Sequence, residues 1–369
     1  MKNTALSKNM FKGNFIVPDY CKDFVCKLGD CRDSCCQGWT VTIPQEQYYK
    51  LHGLDCKKSV KDKIDRTFKP LLNPTPERYA EIIHNYQGDC PLHKDDGKCL
   101  LHETCGEDAL PWVCRYYPRG PRIDYANEAS CSNSCEKTLE LLFSNDNKIS
   151  FELKELKFLL QPVKLIPSEE QREEYSKIRD DIFKILTDRS SAIYIRIIDV
   201  YLFLQNNVHE DNSLSHEDSH IYSFIREIND AINYPRLNNL LDKSLQIYEG
   251  DNFKTLFEAK RIFFNNHYNN WENMFEKMLM NDMFFKQYPY QKNMSKEESA
   301  FALVATYIIL RVIVISLIDL DSTKEDLIDI LSTAYTVISH SGFDKQVAAK
   351  LKSLHQKKWN IFSLLAQIS

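Results

Sequence analysis

The distribution of its cysteines constrains this chain most. All 12 lie between Cys21 and Cys135, and residues 136–369 contain none. Four of them fall between Cys26 and Cys36, and Cys35 and Cys36 are adjacent. Neighbouring residues are too close in the backbone to form an unstrained disulfide with each other. In a compartment that keeps thiols reduced, such clustering indicates metal binding or catalysis rather than a disulfide framework.

Charge and hydropathy exclude several classes of protein. The net charge of −5 and the pI near 6.1 argue against a nucleic-acid partner bound through bulk positive charge. The N-terminal residues 1–17 lack the apolar core of a secretory signal. The longest apolar run, 301–318, has Arg311 at its centre, which favours a buried helix over a membrane span. We therefore expect a cytoplasmic protein with no membrane and no nucleic acid among its partners.

The pattern of the chain changes near residue 145. Turn-forming residues punctuate the first part, whereas later segments carry helical periodicity and N-terminal capping boxes at Ser168–Gln171, Ser295–Glu298 and Ser322–Glu325. The sequence predicts a mainly α protein. We expect a loop-rich, cysteine-rich metal-cluster domain over 1–145, packed on a helical bundle over 146–369.

The cysteine spacing leaves three kinds of site open. Structural zinc sites usually place two thiols two residues apart, and this chain has no C-x2-C. Thiolates also bind iron–sulfur clusters, which take four cysteines, and buried or redox-active thiols are the third reading. The x3-x2 spacing of radical S-adenosylmethionine enzymes is absent, because Cys36 follows Cys35 directly. His84, His93 and His102 lie among the cysteines, but loop histidines explain them more simply than zinc ligation.

A short basic stretch follows Cys114. It contains Arg115 and Arg119 within the sequence RYYPR. This stretch is either a solvated loop or a clamp for a carboxylate beside the metal, because arginine binds carboxylates through two parallel hydrogen bonds.

Taken together, these motifs resemble the flagellin lysine-N-methylase family, which is also described as a cysteine-rich zinc- or iron-chelating domain. The resemblance is carried in order by Phe24-x-Cys26, Cys31-x3-Cys35-Cys36-x-Gly38-Trp39, Cys90-Pro91, Gly97-x-Cys99, Cys114-Arg115-x-x-Pro118-Arg119 and Cys135-Glu136. The last motif departs from the family pattern, which has a proline between the cysteine and the glutamate. Weaker likenesses in the helical part extend the resemblance over most of the chain.

The resemblance implies a cytoplasmic bacterial enzyme that methylates lysine ε-amines of flagellin with S-adenosylmethionine, with a 4Fe–4S cluster (alternatively zinc). Eight cysteines match the family pattern as metal ligands: Cys26, Cys31, Cys35, Cys36, Cys90, Cys99, Cys114 and Cys135. One cluster needs four, so there are two centres or half of these thiols are structural. The four remaining cysteines, Cys21, Cys56, Cys105 and Cys131, are expected to be small apolar fillers or exposed thiols.

The expected reaction sets demands on further side chains. A lysine amine attacks a methyl group only when neutral, so the site must desolvate it or supply a base. Tyr117 and Glu136 are the candidate catalytic residues nearest the cysteines, and Arg115 and Arg119 are candidates for cofactor binding. Two rival hypotheses remain: a non-catalytic, metal-stapled binding or chaperone module for flagellin or another secreted protein, and a redox sensor.

Overall fold

The computed structural model describes residues 10–38, 40–159, 167–206, 220–249, 253–291, 294–357 and 359–369. Within these ranges, 15 α-helices account for most of the regular structure. The prediction of a mainly α protein with a helical C-terminal region is confirmed.

A four-stranded sheet joins the two ends of the cysteine-rich region to the chain that follows it. Its strands are β1 (Met10–Pro18), β5 (Arg119–Arg122), β6 (Glu128–Cys131) and β7 (Phe151–Leu159). Their order is β5-β6-β1-β7, and β1 pairs with β7 antiparallel along its whole length. Because β7 lies beyond residue 146, this sheet crosses the boundary expected from the sequence, and the division into two domains stays a prediction.

The rest of the cysteine-rich region surrounds a second, smaller sheet of three short strands. The elements are β2 (Thr42–Ile43), α1 (Gln45–His52), α2 (Lys58–Thr67), β3 (Phe68–Pro70), β4 (Ala80–Ile82), α3 (Leu100–Cys105), α4 (Trp112–Tyr116) and α5 (Glu136–Leu142). The strand order in this sheet is β2-β4-β3. Ile43, Leu92 and Leu101 contribute to a separate small apolar core here. Strands of two or three residues are too short to leave a periodic signal in the sequence.

Among its described residues, the C-terminal region contains ten helices. They are α6 (Glu169–Leu186), α7 (Ile193–Leu204), α8 (Ile221–Ala231), α9 (Pro235–Ile247), α10 (Phe253–His267), α11 (Trp271–Lys286), α12 (Lys296–Leu317), α13 (Lys324–Ile338), α14 (Phe343–Gln356) and α15 (Ile361–Gln367). Helix α12 contacts helices on several sides, including α7, α9, α10, α13 and α14. It is therefore the central helix of the main apolar core.

Helix α12 is also long and apolar enough by composition to cross a membrane, and it alone passes that test among the described residues. The protein buries 94% of its most apolar stretch, as the sequence predicts for a core helix. The charge of Arg311 is accommodated by the C-terminal end of the chain, because its guanidinium donates to the carbonyl oxygen of Ile368 at 2.9 Å. It also lies 3.7 Å from the ring centroid of Trp271, and burial lowers its pKa to about 10.

Two of the three capping boxes are present as predicted. Ser168 caps α6 and Ser295 caps α12, each with the reciprocal bond from the residue three positions on. The third prediction is wrong by one residue, because α13 is capped by Thr323 together with Asp326. Ser322 instead donates to Asp319 in the preceding turn. Both registers carry a hydroxyl followed by an acid, so the sequence pattern alone does not separate them.

Candidate metal centre and its surroundings

Glu136, at the start of α5, contacts two parts of the first cysteine loop. Its buried carboxylate forms an ion pair with Lys27 and accepts the backbone amide of Arg32 at 3.0 Å. These two residues directly follow Cys26 and Cys31, and Cys135 directly precedes Glu136. The contacts therefore bring Cys26 and Cys31 to the N-terminus of α5, beside Cys135.

A second set of contacts between cysteine segments lies around Cys36. The amide of Cys90 donates to the carbonyl oxygen of Cys36 at 2.8 Å. A β-bridge between His93 and Cys99 closes the next turn. Cys36, Cys90 and Cys99 all pack in the smaller apolar core. Burial raises the pKa of the Cys114 thiol, on α4, and the nearby charges of Cys36, Cys90 and Cys99 raise it further.

Eight thiols predicted as ligands thus fall into two neighbouring groups. We define the Cys36 group as Cys36, Cys90, Cys99 and Cys114, and the Cys135 group as Cys26, Cys31, Cys35 and Cys135. Cys35 lies between the groups, because its thiol contacts Cys36 and is influenced by both Cys114 and Cys26. The early and the late cysteine segments therefore lie next to each other in the structure. This proximity is necessary if the two segments share a site.

The thiols differ in acidity for identifiable reasons. The Cys35 thiol hydrogen-bonds to that of Cys36, which lowers the pKa of Cys36 to about 6 and raises that of Cys35 well above its usual value. Burial raises the pKa of Cys90 to about 12. Burial, followed by the charge of Glu136, raises that of Cys31 to about 11. The raised pKa values share a cause, because burial disfavours the charged form of a thiol.

Within the described ranges, no three His, Cys, Asp or Glu side chains converge closely enough to hold a metal ion. The thiols are therefore neighbours rather than a closed coordination shell. Their donor chemistry still fits the expected group, because sulfur-only sets suit iron–sulfur clusters and zinc. The ligand assignment made from the sequence remains a prediction.

The other four cysteines form two pairs outside these groups. The thiols of Cys21 and Cys131 hydrogen-bond to each other, and so do those of Cys56 and Cys105. Among the candidate histidines, His93 lies beside the Cys36 group, since its Nε2 is 3.4 Å from the Ser34 hydroxyl and its charge helps to lower the pKa of Cys36.

The two candidate arginines have different surroundings. Arg115 forms a 2.8 Å ion pair with Asp108, and Glu107 lies nearby. Arg119 is exposed and stacks over the ring of Phe24 at 5.2 Å. Arg119 makes no ion pair with any residue in the described part of the chain. Its guanidinium is the better placed of the two to take an external carboxylate.

Tyr117 lies at one end of a hydrogen-bond network that sequence reasoning missed. Its hydroxyl is 3.1 Å from Ser134 Oγ, which lies 2.9 Å from His340 Nε2. His340 also contacts Ser132 Oγ at 3.1 Å. Burial raises the pKa of Tyr117 well above its usual value, and the charges of Cys135 and Cys35 add to this. The sequence gives no signal for this network, since His340 lies far along the chain at the end of α13.

Ion pairs connect the first cysteine loop to the helical region. Asp33 accepts from Arg236 of α9 at 2.7 Å, and Arg32 pairs with Asp329 of α13 at 2.8 Å. Arg32 and Asp33 lie between Cys31 and Cys35. The position of the Cys135 group therefore depends on helices from the second half of the chain.

Comparison with known proteins agrees with the resemblance found in the sequence. The family model described as the FliB lysine N-methylase C-terminal domain matches residues 181–365, half of the chain. The chain belongs to this family. No solved structure matches it.

Individual relatives match over a shorter stretch. Lysine-N-methylases of Salmonella typhimurium and Salmonella choleraesuis are each 27% identical over 136 residues, which is 36% of this chain and 33% of the relative. The flagellar biosynthetic protein FliU of Salmonella muenchen is 26% identical over 136 residues, or 79% of its length. The match thus spans a third of the two lysine-N-methylases.

Proposed function

We propose that this protein transfers methyl groups from S-adenosylmethionine to lysine ε-amines of flagellin, with its N-terminal cysteines binding an iron–sulfur cluster. The observation that carries the proposal is the packing of eight motif cysteines into two adjoining groups on a helical region that belongs to the FliB lysine N-methylase family. The names of the relatives support lysine methylation and a flagellar substrate. A cytoplasmic location follows from the same proposal.

The chemistry assigned to the metal is limited. Four thiolates of the Cys36 group, or of the Cys135 group, would hold a 4Fe–4S cluster, with zinc as the alternative. When bound, the group supplies positive charge that keeps its thiolates ionised and cross-links the loops that carry them. All other steps belong to the side chains of the chain and to the two substrates.

The methyl transfer itself is a polar displacement. The lone pair of a neutral lysine nitrogen forms the new N–C bond, the C–S bond of the sulfonium breaks, and S-adenosylhomocysteine leaves. Tyr117 and Glu136 lie beside the Cys135 group, so they are proposed to hold the amine or receive its proton. Arg119 is proposed to bind the carboxylate end of the methyl donor.

The rate should rise with pH, because the attacking lysine must be neutral. Free lysine has a pKa of about 10.4, so the neutral fraction grows about tenfold per pH unit below that value. We expect log(kcat/KM) for flagellin to rise with a slope of about one where no group of the enzyme titrates.

Anaerobic purification followed by metal, sulfide and activity assays tests the proposal. Iron with acid-labile sulfide supports the cluster, whereas stoichiometric zinc supports the alternative metal. Methylation should proceed without dithionite, because a polar displacement needs no added electron. Methylation only with dithionite would contradict the polar mechanism. No methylation by metal-replete protein would favour the non-catalytic binding module.

A further inference from the structure

Both oxygens of the Glu136 carboxylate are occupied by groups of the chain itself. Oε1 forms the ion pair with Lys27, and Oε2 accepts the backbone amides of Arg32 at 3.0 Å and Asp33 at 3.3 Å. An incoming lysine would have to displace these contacts before Glu136 could take its proton. Of the two candidate catalytic residues, the structure therefore favours Tyr117 as the first acceptor of the proton.

Tyr117 cannot store a proton from the amine, because a phenol near neutral pH already carries one. Free tyrosine has a pKa of about 10, and burial raises the pKa of Tyr117 well above that value. Such a hydroxyl can accept a proton only while it passes its own proton to a neighbour. The route by which the amine becomes neutral therefore depends on what the Tyr117 hydroxyl contacts.

Hydrogen bonds lead from this hydroxyl to an imidazole at the protein surface. The Tyr117 hydroxyl lies 3.1 Å from Ser134 Oγ, and Ser134 Oγ lies 2.9 Å from His340 Nε2. Ser132 Oγ lies 2.8 Å from Ser134 Oγ and 3.1 Å from the same nitrogen of His340. The path from the phenol to the imidazole is therefore continuous, and Ser132 supplies a second contact to its end.

The two serines are buried and held by the backbone, whereas the imidazole is exposed. Ser132 is 0% exposed and Ser134 is 7% exposed, while His340 lies at the surface after α13. The amide of Ser132 donates to the carbonyl oxygen of Pro118, next to Tyr117, and the amide of Ser134 donates to Ser132 Oγ. Hydroxyl groups both donate and accept hydrogen bonds, and imidazole takes up protons near neutral pH. The arrangement therefore suits proton transfer from a partly buried phenol to solvent.

We propose that His340, a positioning residue that acts through Ser134 and Tyr117, takes up the proton released by the acceptor lysine. The inference rests on the proposed methyl transfer. An N–H bond of the lysine ammonium breaks as an O–H bond forms on Tyr117. The original Tyr117 proton moves to Ser134 Oγ, and the original Ser134 proton moves to His340 Nε2. The lysine is then neutral and the imidazole cationic, and the exposed ring passes the proton to water or buffer.

Other titratable groups lie on the elements packed around this path. They are Asp33 of the first cysteine loop, Cys135 before α5, Asp282 and Lys286 of α11 and Asp344 of α14. Lys286 lies 2.8 Å from Asp282 and 3.2 Å from Asp344, so these ions partly compensate one another. Asp33 is likewise paired, with Arg236. Tyr117 is the titratable group that the two serines join to His340.

Methyl transfer to flagellin by the full, metal-replete protein tests the relay. His340→Gln keeps a side chain that can hydrogen-bond to the serines but cannot take up a proton. We expect its kcat/KM at pH 7 to fall at least about tenfold, with unchanged metal content. His340→Ala should lose as much, and added imidazole should raise its rate severalfold and saturably. His267→Ala, which removes another exposed histidine at the end of α10, should change neither quantity.

A purely structural role of His340 gives different results. Full activity of His340→Gln would overturn the proposal, because glutamine preserves hydrogen bonding without accepting the proton. A loss in His340→Ala that imidazole does not reverse would also overturn it. Loss of metal from His340→Gln would show that the residue supports the Cys135 group instead. If His340→Ala does not fold, His340→Gln decides.

Nuclear magnetic resonance of protein labelled with ¹⁵N-histidine tests the path without a methyl donor. The His340 signals are assigned by His340→Gln. Tyr117→Phe should shift the His340 Nε2 signal, because Ser134 loses its contact with the phenol, and should leave the His267 signals unchanged. An unshifted His340 signal would overturn the proposal.

Failure of the relay and failure of the proposed function are distinguishable. Methylation by the unaltered protein, together with full activity of His340→Gln, removes the relay and keeps the function. No methylation by the unaltered, metal-replete protein removes the function and the relay with it.

Discussion

The amide of Cys90 donates a 2.8 Å hydrogen bond to the carbonyl oxygen of Cys36, which joins two cysteine segments that are distant in sequence. A second close approach lies nearby. A Cβ atom built on Gly97 would lie 2.2 Å from the carbonyl oxygen of Gly29, so the loop before Cys31 lies directly on the turn before Cys99. Glycine at position 97 therefore allows the close approach that places the two thiol groups side by side.

We predict that Gly97→Ala separates these loops. Position 97 has a φ of +78°, and alanine there would meet backbone atoms that cannot move independently. Metal content and methylation should both fall severalfold, while the helical content measured by circular dichroism stays near that of the unaltered protein.

Gly106→Ala is the matched control for Gly97→Ala. Its φ of +81° and ψ of 172° also lie in a region that other residues rarely adopt, at a cost of about 1–3 kcal/mol, but a Cβ atom there has open space. Equal losses of metal in the two variants would mean that backbone strain, rather than the contact with Gly29, explains the effect.

Single cysteine substitutions should reveal whether there are two centres. If each group holds its own metal, Cys99→Ser and Cys31→Ser should each remove about half of the bound metal, and the double variant should remove nearly all. Ligand loss also costs folding free energy, which is on the order of 10 kcal/mol for small structural sites. Cys56→Ser, outside both groups, should retain full content. Complete metal loss from each single variant would indicate one shared centre.

The helices could be predicted from the sequence, and the reason is local. Capping at Ser168 and Ser295 depends on residues three positions apart, and the apolar composition of α12 is itself a local signal that this helix is buried. The sequence also indicates a short strand that ends at Ile43, but its pairing with β4 could not be predicted, because pairings of two or three residues are fixed by tertiary contacts rather than by periodicity.

The ion pair between Asp33 and Arg236 should position the Cys135 group. Both side chains are about three-quarters buried, so the pair contributes on the order of 1 kcal/mol, near the upper end for partly screened pairs. We expect Arg236→Ala to lower methylation and metal retention during dialysis, with only a small change in the free energy of unfolding. Lys184→Ala, which removes an exposed charge paired with Asp181, should leave metal retention unchanged.

The corrected cap of α13 can be tested by stability measurements. Thr323→Ala should destabilise the protein by about 1 kcal/mol, whereas Ser322→Ala should cost less. Hydrogen bonds from the backbone and hydroxyl of Thr323 lower the pKa of Asp326. A lowered folded-state pKa stabilises the protein above the unfolded value of about 3.9, and this contribution is lost as pH falls through the folded value. The cost of Asp326→Asn in urea unfolding should therefore shrink in acid.

The candidate site could be predicted only in part from the sequence. The cysteine spacing identified which thiols belong to the motifs, because those residues lie in recognisable segments. It did not divide them into two groups, since that division depends on Glu136 and on the Cys36–Cys90 contact. His340 follows α13, far along the chain, and carries no motif.

Isotope transfer tests the central claim most directly. Flagellin is incubated with anaerobically purified protein and S-adenosylmethionine carrying a deuterated methyl group, and its intact mass and modified residues are measured. The account predicts deuterated methyl groups on lysine side chains, dependent on the metal and severalfold fewer with the Gly97→Ala variant. Unmodified flagellin after incubation with metal-replete, folded protein would contradict it.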